Sequence, residues 1–102
     1  MTEKSLTLDD LRARRDEILE LAARYGASNV RVFGSVARGE ATPESDVDLL
    51  VEMPEGTSMF DLVGLWLDFK DLLGCDVSLI TDDEYPRNER FMSRVRKDAV
   101  PL

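Results

Sequence analysis

Val32-Phe33-Gly34-Ser35-Val36-Ala37-Arg38-Gly39-Glu40, joined through Ala41-Thr42-Pro43-Glu44 to Ser45-Asp46-Val47-Asp48-Leu49-Leu50-Val51, is the stretch that decides the fold. On its upstream flank, Asn29 to Phe33 predicts a strand, with Val30 and Val32 alternating with Arg31 and Phe33. On its downstream flank, Asp46 to Glu52 predicts a second strand. Val47, Leu49 and Val51 share one face of it, while Asp46, Asp48 and Leu50 share the other. Gly34 and Ser35 end the first strand, Val36 to Arg38 starts a short helical turn, and Gly39, Pro43 and Ser45 punctuate a turn-like run. About 12 residues join the strands, too few for an ordinary helical crossover, so the two are expected to be antiparallel.

Working outward, Thr7 to Tyr25 predicts one amphipathic helix. Thr7 and Asp10 approximate a capping box, and Gly26 stops it. Beyond Pro54 and Gly56, Ser58 to Leu73 predicts a helix closed by Gly74, and Cys75 to Thr81 a third strand. Asp82 to Pro86 reads as a loop and Asn88 to Asp98 as a final helix rich in Arg and Lys. The order is α-β-β-α-β-α. The helix between the second and third strands implies a parallel, right-handed crossover. The expected fold class is α/β (α+β): a small mixed β-sheet of about three to four strands packed by helices, in one domain spanning residues 1–102.

Composition narrows the chemistry. The 102 residues carry a formal net charge of −8 and no histidine. Serine-histidine and cysteine-histidine catalysis and histidine-ligated zinc are thereby excluded. Binding to duplex nucleic acid is not expected, because lysine and arginine contacts to phosphate dominate that affinity. A divalent cation would be needed to bring a polyphosphate close. No apolar run approaches the roughly 20 residues that span a bilayer. The first residues do not resemble a signal peptide, and the single cysteine, Cys75, cannot form an internal disulfide. A cytoplasmic protein without membrane association is expected.

Asp46 and Asp48 lie two apart on a strand, so their carboxylates project from one face, with Cβ atoms about 6–7 Å apart. Two such charges repel unless a cation sits between them. Mg²⁺ takes one or two carboxylates together with substrate phosphates and water. At Gly34 the backbone can approach a ligand closely, the amides beyond it favour an anion, and the Ser35 hydroxyl adds a donor. The bland alternative is a solvated strand face beside an ordinary turn. Strands disfavour aspartate, so two in an otherwise apolar strand need a reason.

Gly34-Ser35, ten intervening residues and Asp46-x-Asp48, between predicted strands, resemble the signature of the DNA polymerase β-like nucleotidyltransferase superfamily. The flanking Phe33-Gly34-Ser35-Val36-Ala37-Arg38-Gly39-Glu40 and Ser45-Asp46-Val47-Asp48-Leu49-Leu50-Val51 look like its minimal nucleotidyltransferase branch, called MNT or MntA-like. The resemblance covers nearly the whole chain. It implies a polymerase β-like fold and transfer of AMP from ATP to a hydroxyl. In that reading Asp46 and Asp48 ligate Mg²⁺, two ions in all, and act catalytically. Gly34 and Ser35 hold the β- and γ-phosphates.

In one place the match weakens. The family carries a third carboxylate on the strand after the long helix, where Leu72-Leu73-Gly74-Cys75-Asp76-Val77-Ser78-Leu79-Ile80-Thr81 puts Ser78. Asp76, two residues earlier and nominally on the same face, is the candidate catalytic replacement if the strand shifts or bulges. Its bland reading is an exposed residue at a strand start. Arg38 is a candidate nucleotide contact or else a surface arginine. Arg87, Arg90, Arg94, Arg96 and Lys97 either meet phosphate or an acidic partner, or form a solvated face. Cys75 has no histidine or cationic neighbour that would make it a reactive thiolate.

A catalytic core of this size has little with which to grip an acceptor, so the acceptor is expected to be small or delivered by another protein. In the helix from Ser58 to Leu73, Met59, Leu62, Val63, Trp66, Phe69 and Leu73 form one stripe, flanked by Phe60 and Leu67 on one side and Leu65 and Leu72 on the other. That arc is wider than one sheet-facing surface needs, which suits an interface unless another helix covers it. The resemblance implies a partner: MNT proteins often pair, as antitoxins, with HEPN-domain toxins and in some systems adenylylate a toxin tyrosine. Three functions follow: an enzyme that AMPylates a HEPN partner, a catalytically weak antitoxin that acts by contact, and a subunit that modifies a small molecule. Homo- or hetero-oligomers suit each.

Overall fold

The computed structural model describes residues 6–42, 45–82 and 89–102. Nine elements follow one another. They are α1 (Leu8–Ala13), α2 (Arg15–Arg24), β1 (Ser28–Phe33), α3 (Gly34–Arg38), β2 (Val47–Glu52), α4 (Met59–Leu73), β3 (Val77–Thr81), α5 (Glu89–Asp98) and β4 (Val100–Pro101). The expected loop at Asp82–Pro86 and the start of the last helix at Asn88 fall mostly outside the described residues, as do Pro43 and Arg87.

The four strands lie in the order β3-β2-β1-β4. β1 runs antiparallel to β2, and β2 parallel to β3, as the connection lengths require. β4 is the strand that no sequence signal marked. It is two residues long and pairs antiparallel with β1 through Val100 opposite Val32.

Thr7 caps α1 through the expected reciprocal bonds with Asp10. The single first helix expected from the sequence is instead two. Arg14 leaves helical geometry (φ −109°, ψ 18°), and its guanidinium donates to the carbonyl of Leu72, 2.8 Å away at the end of α4. The break carries no proline or glycine, and this long-range bond is what anchors Arg14 at it.

Alternation along β2 separates two cores. On one face Val47, Leu49 and Val51 meet Leu11, Ile18 and Ala22 from α1 and α2, and Leu65, Phe69 and Leu73 from α4. On the other, Phe33 and Leu50 meet Met92 and Val95 of α5, so the basic last helix also has an apolar side. The centre of the buried α4 stripe is Leu65-Phe69-Leu73. Met59 and Val63, assigned to that stripe from the sequence, are exposed. Helical periodicity gives the width of the apolar arc but not its phase.

Gly64 has a packing reason inside α4. A Cβ there would meet the Tyr25 ring at 3.0 Å, and the Tyr25 hydroxyl donates to Asp68 one turn further along at 2.5 Å. α2 therefore seats against α4 through a notch one methyl deep.

Candidate active site

Register sets the site. Phe33 pairs with Asp48, and Asp48 pairs with Ser78, so the end of β1, the second aspartate of the Asp46-x-Asp48 run and the departure position on β3 form one row. The row lies on the α5 face of the sheet, where Leu50 follows Asp48. Phe33 is extended. Gly34 then turns to φ +73°, a left-handed conformation that a side chain rarely adopts. A Cβ on Gly34 would overlap the Asp48 carboxylate, so the glycine is required twice, by conformation and by space. Ser35 follows in the first turn of α3, partly exposed, and its carbonyl accepts from the Glu40 amide at 2.8 Å.

Asp48 is half-buried. Burial pushes its pKa above the ordinary carboxylate value, and the negative charge of Asp46 pushes the same way. A hydrogen bond from the Ser78 hydroxyl and the positive charge of Arg38 oppose this without cancelling it. Asp46 itself is exposed and lies just before β2 rather than inside it. Two carboxylates this close, one of them partly desolvated, make a site whose charge asks for a cation. Their oxygen donors fit Mg²⁺.

Arg38 is not a free surface arginine. Its guanidinium meets Glu40 at 3.1 Å and Asp98, the last residue of α5, at 2.6 Å, and these hydrogen bonds hold it still more firmly protonated. It stands near enough to Asp48 for its charge to be felt there.

Asp76 stands apart from this group. It precedes β3, and its carbonyl accepts from the Val47 amide at 3.0 Å. Its side chain is 81% exposed and pairs loosely, at 3.9 Å, with Lys70 of α4, the helix on the opposite face of the sheet. The nominal face shared with Ser78 does not extend across the strand boundary. Among the described residues no three His, Cys, Asp or Glu side chains gather as a metal site. Ser78, not Asp76, is the side chain that touches Asp48. Burial, followed by the charges of Asp76 and Asp46, pushes the Cys75 thiol up, which favours the thiol over the reactive thiolate.

One polar group was not foreseen. Asp82 accepts from Arg31 of β1 at 3.1 Å and from Arg96 of α5 at 3.0 Å, tying that helix to the sheet. Arg31, a charged residue between Val30 and Val32 of β1, was the available signal. Of the basic cluster, Arg96 is thus structural.

A nucleotidyltransferase domain model matches residues 15–101. The chain belongs to the nucleotidyltransferase family. A provisionally named protein adenylyltransferase of Methanocaldococcus jannaschii is 38% identical over 86 residues, covering 84% of this chain and 90% of the relative. A solved structure described provisionally as a minimal nucleotidyltransferase superposes with a TM-score of 0.80 at 45% identity, covering 95% of this chain and 97% of that one. The four-stranded mixed sheet is therefore the minimal nucleotidyltransferase fold. A chain from the complex of a tri-AMPylated Shewanella oneidensis HEPN toxin with an MNT antitoxin shares the fold, with a TM-score of 0.66 at 15% identity over 88% of this chain and 69% of that one. As a nucleotidyltransferase, the chain is an enzyme by class, and the expected α/β fold is the one observed.

Proposed function

We propose that this nucleotidyltransferase moves AMP from ATP to a hydroxyl of a partner protein, a tyrosine of a HEPN-domain toxin, and so serves as the antitoxin of the pair. The observation that carries the reading is the row Gly34–Asp48–Ser78, with Asp46 and Arg38 beside it. The adenylyltransferase relative supports a protein acceptor, and the HEPN–MNT complex with the same fold supports the partner class. The single cysteine suits action in the cytoplasm.

In this reading Asp46 and Asp48 would hold two Mg²⁺ ions together with the triphosphate. The bound metal would neutralise phosphate charge and stabilise the attacking and leaving oxygens. Gly34 keeps the backbone low enough for the phosphates to sit against the carboxylates, and Ser35 donates to them. Ser78 fixes the Asp48 carboxylate by its hydrogen bond. Arg38, steadied by Asp98 and Glu40, adds a positive charge at the rim. Catalysis is then positioning and charge neutralisation, without a covalent enzyme intermediate. Asp76 belongs outside this core, because its carboxylate is exposed and turned toward Lys70.

The test is incubation with α-labelled ATP, Mg²⁺ and a co-encoded HEPN protein. Label on that protein, lost in Asp46→Asn and Asp48→Asn, is expected. A stable complex without label, unchanged by either substitution, would assign the chain to inhibition by contact. Label on a small molecule instead would move the acceptor class.

A further inference from the structure

Four apolar side chains of α4 face away from both cores. Phe60 is 89% exposed, Met59 72%, Leu67 50% and Val63 42%. Phe60, Val63 and Leu67 are three and four residues apart, so they form one stripe along the helix, with Met59 widening its start. The inner side of the same helix is fully used. Leu65 and Phe69 are buried, Gly64 and Asp68 meet Tyr25, and the Trp66 indole donates to the Val77 carbonyl at 2.6 Å. Among the described residues no element covers the outer stripe. Scattered exposed apolar residues need no explanation, but a contiguous helical stripe of this length does.

The charges around the stripe select its occupant. Asp61 borders it, Asp71 closes its far end, and Glu55 lies in the turn before the helix, all exposed. Lys70 is the one basic residue of α4, and it is engaged, 4.6 Å from the Trp66 ring centroid and paired with Asp76. A second copy of this chain fits poorly. A second copy would bring its own exposed Asp61 and Asp71 to the same acidic border, in a chain of net charge −8, and like charges across an interface cost affinity.

We infer that the Phe60-Val63-Leu67 stripe of α4 is the docking surface for an amphipathic helix of a partner protein, whose apolar anchors are bordered by lysine or arginine. The inference deepens the proposed function and rests on it only for the existence of a protein partner. It places the grip on the sheet face opposite Asp48, so that holding the partner and carrying the nucleotide occupy separate surfaces.

The probe is a synthetic amphipathic peptide of roughly five helical turns with a leucine stripe bordered by lysines, and a twin bordered by glutamates. The full chain is titrated into each peptide, dye-labelled at one end, while the fluorescence anisotropy of the peptide is followed. The lysine-bordered peptide should bind saturably and at least roughly tenfold more tightly than its twin. Phe60→Ser/Leu67→Ser should weaken it by about tenfold or more, as for central apolar anchors, with the circular dichroism unchanged. Asp61→Lys/Asp71→Lys should reverse the preference between the peptides. Asp48→Asn should leave peptide binding intact, so failure of the nucleotide site and failure of the docking face are told apart. Equal binding of both peptides, no binding, or affinity unaltered in Phe60→Ser/Leu67→Ser would overturn the inference. A wild-type dimer in sedimentation that Phe60→Ser/Leu67→Ser dissolves would also overturn it and give the face to a second copy.

Discussion

Gly34 and Asp48 occupy adjoining space so closely that one methyl group on the glycine would take the place of the carboxylate. Gly34→Ala therefore meets two penalties. The left-handed backbone at φ +73° costs about 1–2 kcal/mol for a non-glycine residue, and Asp48 must move. The variant should melt several degrees lower and lose binding of a fluorescent ATP analogue in Mg²⁺. Wild-type affinity in Gly34→Ala would show that the two residues do not define one site.

Asp48 should trade stability for function. Its carboxyl is raised above the unfolded value by burial first and by Asp46. A group raised in the folded state contributes stability that is present below its unfolded pKa, about 3.9, and lost as pH climbs through the folded value. Without divalent cations, Asp48→Asn should thus match the wild type at low pH and exceed it at pH 7. Each kcal/mol relieved would appear as roughly 4–8 °C in a chain of this size. Thermal melts of both proteins across pH 3–8 check this. A less stable Asn variant at pH 7 would contradict it.

Asp82 should behave in the opposite sense. Burial pushes its pKa up, but the hydrogen bonds and charges of Arg96 and Arg31 outweigh that and leave it lowered. A lowered carboxylate stabilises above its unfolded pKa and loses that contribution as pH falls through the folded value. Asp82→Ala leaves two arginines without this acceptor and should cost roughly 1–3 kcal/mol at pH 7. Urea unfolding at pH 7 and again near pH 3 should show the deficit shrinking at the lower pH. An unchanged deficit would mean that packing, not charge, explains the loss.

The juxtaposition of Gly34 with Asp48 was legible in the sequence because each motif lies at the end of its own strand. Once Asn29–Phe33 and Asp46–Glu52 are antiparallel neighbours, their facing ends come together, and the observed register sets Gly34 beside Asp48. The pairing of Asp48 with Ser78 needed the third strand's register, which the parallel crossover determines only in three dimensions. Asp76 was assigned a face by alternation, but alternation holds only inside a strand, and β3 begins at Val77. The break at Arg14, the short β4 and the phase of α4 all depend on partners distant in sequence, so no local pattern displays them. Arg38 was left between two readings because its partners, Glu40 and Asp98, lie 2 and 60 residues away.

The serine on β3 gives a gain-of-function test. Ser78→Asp would restore a third carboxylate opposite Asp48. Without metal it should lower the melting temperature through like-charge repulsion, and Mg²⁺ should recover more of that temperature than it adds to the wild type. AMP transfer should rise. Asp76→Asn, by contrast, should change transfer by no more than about fivefold, since loss of an exposed, loosely paired charge is worth at most about 1 kcal/mol. A loss of a hundredfold would place Asp76 in the reaction after all.

The most direct measurement is calorimetric titration of a non-hydrolysable ATP analogue into the wild type, Asp46→Asn and Asp48→Asn, each with Mg²⁺ and with EDTA. If the two carboxylates and the Gly34–Ser35 turn form one magnesium–triphosphate cradle, only the wild type with Mg²⁺ gives saturable heat. Binding that is indifferent to the metal, or asparagine variants that give the same saturable heat as the wild type, would contradict it.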